Sequence, residues 1–457
     1  MIRKTYWFNS SAFFILDTFL LNLSALKMQI SWPNICYIIK PNKLLQKCCK
    51  PDLEHCEKSK MDDEHPAVTL FREYLQIKSV QPNPDYDACL IFLRKQAERL
   101  GLVHHTTEMV KGKPIFIMTW QGTEPNLPAL LLNSHTDVVP VFPESWKYDP
   151  FEAVKEKNGD IYARGSQDMK CVGIQYIEAI YKLKVLQKKS FRRTIHLCFI
   201  ADEEIGGHDG MKKFVVSKEF KILNIGFALD EGLASPDNTI PLFYGQRSAF
   251  QIEFKCTGNP GHGSRFIENT AAEKVQYLMN KLLNFRSEQK KIFESDENLT
   301  LGDVTTVNLT YMAGGVQMNV VPNEFVVWFD MRITPSTPMD KFEAMIMQWV
   351  AEAGSGIEVK FKNKHTDQTM TSVAESDQWY QAFMKGAAKH ELEITPRIFP
   401  AGTDSRYIRA VGIPSFGFSP MNNTPVLLHD HNEFLNENVF LKGIDIFSDI
   451  IAEMASV

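Results

Sequence analysis

The stretch Ala129-Leu130-Leu131-Leu132-Asn133-Ser134-His135-Thr136-Asp137 decides the fold: a short apolar run ends on a histidine and an aspartate. Three more runs have the same form. Residues 194–200 lead into Asp202-Glu203-Glu204, residues 225–229 lead into Asp230-Glu231, and residues 413–418 are followed after a turn by His429. A further segment, Arg164-Gly165-Ser166-Gln167-Asp168-Met169-Lys170, brings Asp168 to the start of a helix. Short apolar runs between helical patterns read as buried parallel strands. Open α/β sheets gather ligands at the carboxyl ends of such strands. His135, Asp168, Glu204, Glu231 and His429 are therefore expected to meet in one crevice.

Imidazole and carboxylate without thiolate suit a catalytic zinc, or manganese or cobalt. Five ligands fit two metals that share one carboxylate, about 3.5–4 Å apart. Asp168 is the best bridge because it stands on its own loop. Glu203 and Glu204 are adjacent and cannot both point the same way. Glu204 is assigned to metal and Glu203 to proton transfer, since a carboxylate beside metal-bound water is a natural general base. His135 and Asp137 are two apart, on one face of an extended segment. Asp137 is expected to accept from the ring nitrogen that His135 does not give to metal, which fixes the tautomer. Each piece alone has an ordinary reading: a chance His-x-Asp, a solvated acidic turn, a polar loop around His429-Asp430-His431. Their conjunction decides, because a buried sheet does not collect carboxylates at one edge without a counter-cation.

Around these strands the pattern alternates. Residues 68–77 are helical, 115–118 and 129–132 extended, 171–183 helical, 194–200 and 225–229 extended, with helix at 211–216 between them. That alternation predicts a doubly wound α/β domain. The character changes near Gly245. Residues 250–254 alternate as a half-exposed antiparallel strand does. Helix at 271–285, strands at 305–311 and 325–333, helix at 341–353 and a strand at 357–361 complete a β-α-β-β-α-β order, an α+β ferredoxin-like unit. Beyond His365 a helix at 379–388 and the strand at 413–418 return to the first domain. The predicted division is an extension over 1–60, a catalytic domain over 61–245 and 365–457, and an inserted domain over 246–364.

The chain has 457 residues, too many for one simple core. Its net charge of −5 gives no reason to expect nucleic acid. The charge is uneven: residues 1–60 hold nine Lys/Arg and four Asp/Glu, or +5, which leaves −10 on the rest. The apolar stretch from Ala12 to Leu21 is interrupted by Asp17 and is shorter than the roughly 20 residues of a spanning helix. A weak signal-peptide reading is open, and an upstream extension foreign to the enzyme is preferred. No membrane association is expected for the body. Eight cysteines show neither a disulfide framework nor a zinc knuckle, so reduced thiols and a cytoplasmic location are expected.

The strings Asn133-Ser134-His135-Thr136-Asp137-Val138-Val139-Pro140, Tyr162-Ala163-Arg164-Gly165, Gln167-Asp168-Met169-Lys170-Cys171, Asp202-Glu203-Glu204, Gly206-Gly207-His208 and Phe227-Ala228-Leu229-Asp230-Glu231-Gly232 occur in this order. Pro260-Gly261-His262, Ser264-Arg265-Phe266, Asn319-Val320 and Leu427-Leu428-His429-Asp430-His431 follow. Together they resemble the cytosolic type-one aminoacylases, within the clan of co-catalytic zinc peptidases, from about Met61 to the C-terminus. The resemblance implies two zinc ions per subunit: His135, Asp168 and Glu231 on one, Glu204, Asp168 and His429 on the other, with Glu203 as general base. It implies that the inserted domain is a lid that mediates homodimerisation, and that His262 reaches the partner's active site to stabilise the oxyanion. It implies that Asn319 and Arg332 hold the substrate carboxylate. Gly263 stands where the family carries Ala, which only loosens that turn.

From the residues alone, His262 is equally a turn histidine, Asn319 a cap before Pro322 and Arg332 an exposed strand residue. Arg does supply the fork that a substrate carboxylate needs. Gly402-Thr403-Asp404-Ser405-Arg406 borders the same crevice, with two readings open: Thr403 or Arg406 touches substrate, or Asp404 and Arg406 form a structural turn. The expected activity is hydrolysis of N-acyl-L-amino acids, small-molecule substrates. A dipeptidase of the same clan is the nearer alternative, and a non-catalytic binding protein on this scaffold the more distant one.

Overall fold

The computed structural model describes residues 64–457. Everything expected of residues 1–60 lies outside that range. Twelve main strands run in chain order: β1 (Val103–Val110), β2 (Lys113–Trp120), β3 (Ala129–His135), β4 (Ile195–Ile200), β5 (Ile225–Asp230), β6 (Thr239–Gln246), β7 (Ser248–Thr257), β8 (Thr306–Gly314), β9 (Glu324–Ile333), β10 (Ile357–Lys364), β11 (Glu393–Phe399) and β12 (Ser415–Gly417).

Eight of them form one sheet in the order β1-β2-β4-β3-β5-β12-β6-β11. Its centre, β4-β3-β5-β12, is parallel. These are the four apolar runs that end on polar clusters, and β3 and β4 are buried at every residue, as strands covered on both faces must be. The sheet is mixed rather than wholly parallel. β1 and β2 form a hairpin, and a two-residue turn leaves no room for the crossover that a parallel neighbour needs. β2 also runs antiparallel to β4.

Helices cover the sheet. Lys170–Ile180 is buried along its whole length and packs on β3 and on the C-terminal helix Glu437–Met454. The approach to β3 is close: a Cβ on Gly173 would stand 2.8 Å from Ser134 Oγ. That closeness brings the Asp168 loop up to the end of β3. Phe71, Tyr74, Tyr176, Phe383, Phe418 and Phe447 belong to the core on this side.

The other four strands form a separate antiparallel sheet, β8-β9-β7-β10. Helices Ala271–Glu294 and Met339–Glu352 pack against it around a second core that includes Phe250, Phe254, Leu278, Phe329 and Ile346. The chain order here is strand-helix-strand-strand-helix-strand. The first of these helices starts at a capping box, in which Thr270 and Glu273 each hold the other's backbone N–H. It runs nine residues past the predicted end at Phe285, to Glu294, because the polar extension is largely exposed and leaves no apolar periodicity to read. A two-residue ribbon pairs Gly261–His262 with Val320–Val321.

Among the described residues, Cys89, Cys171, Cys198 and Cys256 are buried free thiols. No described helix is long and apolar enough to cross a membrane.

Candidate active site

Three parallel neighbours end together. His135 closes β3 beside Ile200 at the end of β4, and β5 ends on Asp230 next to Glu231. Asp202 follows β4 in the left-handed region, φ 73°, where a short polar side chain is tolerated. The reversal throws Glu203 and Glu204 to different sides. Asp230 turns inward, accepting from Asn133 at 3.0 Å and from the Ser405 amide and hydroxyl at 2.9 and 2.7 Å. Glu231 is left facing the crevice.

Asp168 sits at the middle of the cluster. Its Oδ1 is 3.0 Å from His135 Nε2 and its Oδ2 is 3.0 Å from His429 Nε2. Each histidine has its own glutamate: Glu231 Oε2 lies 3.5 Å from His135 Nε2, and Glu204 Oε2 lies 3.1 Å from His429 Nε2. Glu204 Oε1 is buried and has no hydrogen-bond partner among the described residues. Donor atoms of His135, Asp168 and Glu204 all lie within 4.8 Å of one another, and so do those of His135, Glu203 and Glu231. The side chains of His135 and Asp168 are almost wholly buried, whereas that of His429 is 49% exposed, so the crevice opens on the His429 side.

The side chains of the cluster are short of positive charge. Burial pushes Glu203 up to about 7 and Glu204 up to about 8, the negative charge of Asp168 adding to both. Burial and Asp168 also push Glu231 well above the carboxylate range. Burial acts to raise Asp168 too, but the hydrogen bonds from His135 and His429 outweigh it and hold that carboxyl low. Hydrogen bonds to Asp168 and Glu204 lift His429 to about 10. Carboxylates forced together out of water in this way call for cations. The donor set, oxygen and imidazole nitrogen with one unpartnered buried carboxylate oxygen, fits divalent metal.

One expected contact differs. His135 Nδ1 meets the backbone carbonyl of Asp137 at 2.9 Å, while the Asp137 carboxylate stands 3.9 Å away. The tautomer is set, but by the main chain. The carboxylate instead accepts from the amides of Glu203 and Glu204 at 3.2 and 3.3 Å and from Gln81 at 2.7 Å.

A family description fits this arrangement: residues 131–453 match the model of peptidase family M20/M25/M40. The chain belongs to that family. Aminoacylase-1 of Mus musculus is 52% identical over 396 residues, which cover 87% of this chain and 97% of that protein. Among solved structures, an M20 family metallo-carboxypeptidase from Sulfolobus solfataricus aligns with a TM-score of 0.66 at 18% identity, covering 86% of this chain and all of that one. A dinuclear metal-binding M20 peptidase from Bacillus subtilis aligns with a TM-score of 0.60 at 16% identity, covering 85% and 98%. At those identities the likeness is one of fold.

This M20 chain holds the other predicted residues in different places. Arg406 Nη1 lies 3.8 Å from Glu203 Oε1, and its Nη2 donates to the Gly206 carbonyl at 2.8 Å. Thr403 is buried against Gln246 and accepts from the Ser405 amide. His262 is exposed, with Nδ1 2.8 Å from Ser264 Oγ, and the amide of Gly263 donates to the carbonyl of Asn319. Arg332 makes a two-point pair with Asp330, at 2.8 and 3.2 Å. None of His262, Asn319 and Arg332 shares a hydrogen bond or ion pair with the carboxylate cluster among the described residues.

Three contributors carry no sequence signature. Glu433, wholly buried, accepts from Arg164 at 2.6 Å and from the amides of Gly165, Gln167 and Asp168, which shapes the Asp168 loop. Gln81 and Tyr86 contact Asp137 and Asp202 from the first segment of the chain.

Proposed function

We propose that this chain hydrolyses the amide bond of N-acyl-L-amino acids, releasing a carboxylate and a free L-amino acid, with two zinc ions as cofactors. The observation that carries the reading is Asp168, whose two oxygens each face a histidine that has its own glutamate. The 52% identity with aminoacylase-1 supports the substrate class. His135, Asp168 and Glu231 would hold one zinc, and His429, Asp168 and Glu204 the other. Zinc held there would lower the pKa of water towards neutrality and polarise the scissile carbonyl. Glu203 accepts the proton of the attacking water and returns it to the leaving amine. Burial raises the Glu203 carboxyl in the cluster of side chains alone, and cations held beside it would favour its ionised, proton-accepting form. Arg406, 3.8 Å away, favours the ionised base. The Asp137 carbonyl receives the Nδ1 proton of His135 and leaves Nε2 free for metal.

Residues 246–364 form, in this reading, a lid domain through which two copies pair, and 61–245 with 365–457 form the catalytic domain. A separate sheet and a separate core support that division. His262 supplies the oxyanion donor to the partner's site, and its exposure leaves it free to do so. Asn319, in the turn before the ribbon with its carbonyl accepting from the Gly263 amide, and Arg332, oriented by Asp330, bind the substrate carboxylate. Arg406 faces the reacting centre, whereas the hydrogen bonds of Thr403 favour a role in the turn. Buried free thiols accord with the cytoplasm.

The test is turnover of N-acetyl-L-methionine against a methionyl dipeptide, with metal content measured on the same sample. Two zinc ions per chain and preference for the N-acyl compound are expected. Faster cleavage of the dipeptide, or no bound transition metal, overturns the proposal.

A further inference from the structure

The turn that carries Glu203 is gripped from outside the metal cluster. Gln81 Nε2 donates to Asp137 Oδ2 at 2.7 Å and lies 3.3 Å from Asp202 Oδ1. Its primary amide has two hydrogens, one for each carboxylate. Those two aspartates bracket the base: Asp202 precedes Glu203 in the chain, and Asp137 accepts from the amides of Glu203 and Glu204. Tyr86 closes the arrangement. Its hydroxyl donates to Asp202 Oδ1 at 3.2 Å and accepts from the Asp202 amide at 3.1 Å. Lys113 Nζ reaches the same Oδ1 at 2.5 Å from the more exposed side. The backbone of Gln81 is itself fixed, because its amide donates to the Val138 carbonyl and the Val138 amide donates to Ser79. Gln81, Asp137, Asp202 and Tyr86 are all buried.

We infer that Gln81 is a positioning residue, whose amide locks Asp137 and Asp202 together and so fixes the direction in which Glu203 points. The inference rests on Glu203 being the general base. The physical reason is that two carboxylates facing each other out of water separate unless a donor joins them. If they separate, the left-handed turn at Asp202 loses its anchor and Glu203 its aim. A displacement of the order of 1 Å in a reacting group is costly, about 100-fold in rate.

Gln81→Met keeps the length of the side chain and deletes both donors. Tyr86→Phe keeps the ring and deletes only the hydroxyl. Each is made in the full chain, alone and together with Glu203→Gln, and assayed for kcat, KM and zinc content. For Gln81→Met, kcat is expected to fall about 10–100-fold with KM and two bound zinc ions unchanged. Tyr86→Phe is expected to show a smaller loss of the same kind, and it serves as the readout where Gln81→Met does not fold. In the Glu203→Gln background neither change should cost anything further, since there is no longer a base to aim. Unchanged kcat in the single variants, with Glu203→Gln inactive, overturns the role of Gln81 alone. So does an equal loss in both backgrounds, or loss of zinc. Near-normal turnover by Glu203→Gln itself overturns the base assignment and the inference with it.

Discussion

Arg164 and Glu433 form an ion pair at 2.6 Å in which both side chains are at most 2% exposed. They stand 269 residues apart and join the Asp168 loop to the segment that follows His429. The glutamate also accepts three amides of that loop, so it does not rely on the arginine alone. Removing one partner of a buried pair leaves the other uncompensated, at a cost of about 3–5 kcal/mol. Arg164→Met is expected to lose stability of that order in urea titrations of the chelated protein, and to bind zinc more weakly. Unchanged stability would mean that the three amides suffice.

The way the sequence reveals some of this and hides the rest follows from physics. β3, β4 and β5 are legible because they are largely covered on both faces, so they read as mostly apolar runs, with His196 the one polar residue inside β4. The candidate ligands His135, Glu204 and Glu231 are legible because they follow those runs at the same end. β1, Val-His-His-Thr-Thr-Glu-Met-Val, is an edge strand with no buried residue and carries no hydrophobic signal. β6 and β11 each contain a proline, which argues against a strand; β11 is the edge strand, and β6 meets its inner neighbour β12 at a single register pair. Glu433 reads as one more acid in a polar loop, because its partner is distant in the chain. Gln81 has no signature at all, since a glutamine after a helix says nothing of the two aspartates it meets. Alternation along a strand speaks only of side chains, and at Asp137 the main-chain carbonyl makes the contact that alternation offers its carboxylate.

If Glu203 is the base, Arg406 should set its working range. Burial raises the Glu203 carboxyl, and the guanidinium 3.8 Å away is the largest influence opposing it. Arg406→Gln deletes the charge while keeping a donor for the Gly206 carbonyl. Without the cation the ionised carboxylate is less favoured, so its pKa rises. The acid limb of kcat/KM should move to higher pH by about one unit or more. A limb that stays in place, or moves to lower pH, excludes Arg406 as the electrostatic partner.

Chelation should make stability fall as pH rises. In the bare site Glu203 and Glu204 have folded pKa values of about 7 and 8 against an ordinary 4.5, and His429 about 10 against 6.5. Each is raised, so the folded chain binds more protons than the unfolded one across this window. Stability from these groups is complete below their ordinary values and is lost as pH climbs through the folded ones. Melting temperature of the chelated protein is expected to drop progressively between about pH 5 and pH 9. Zinc bound at the cluster would compensate the carboxylates, so the loaded protein should follow a flatter curve, and the gap between the two should widen with pH. Parallel curves would show that the cluster does not hold the metal.

If His262 serves the partner, a dimer of one His262→Ala chain and one Glu203→Gln chain contains one complete site: the first chain supplies Glu203 and the second supplies His262. The other site lacks both. With random pairing in a symmetric dimer, half of the dimers are mixed and one site in each is complete, or about a quarter of wild-type activity. Each variant alone should be nearly inactive. Recovery on co-refolding or co-expression, and its absence when purified dimers are mixed without exchange, is the expected pattern. If co-expressed chains recover nothing although mixed dimers are isolated, His262 acts within its own chain or takes no part in the reaction.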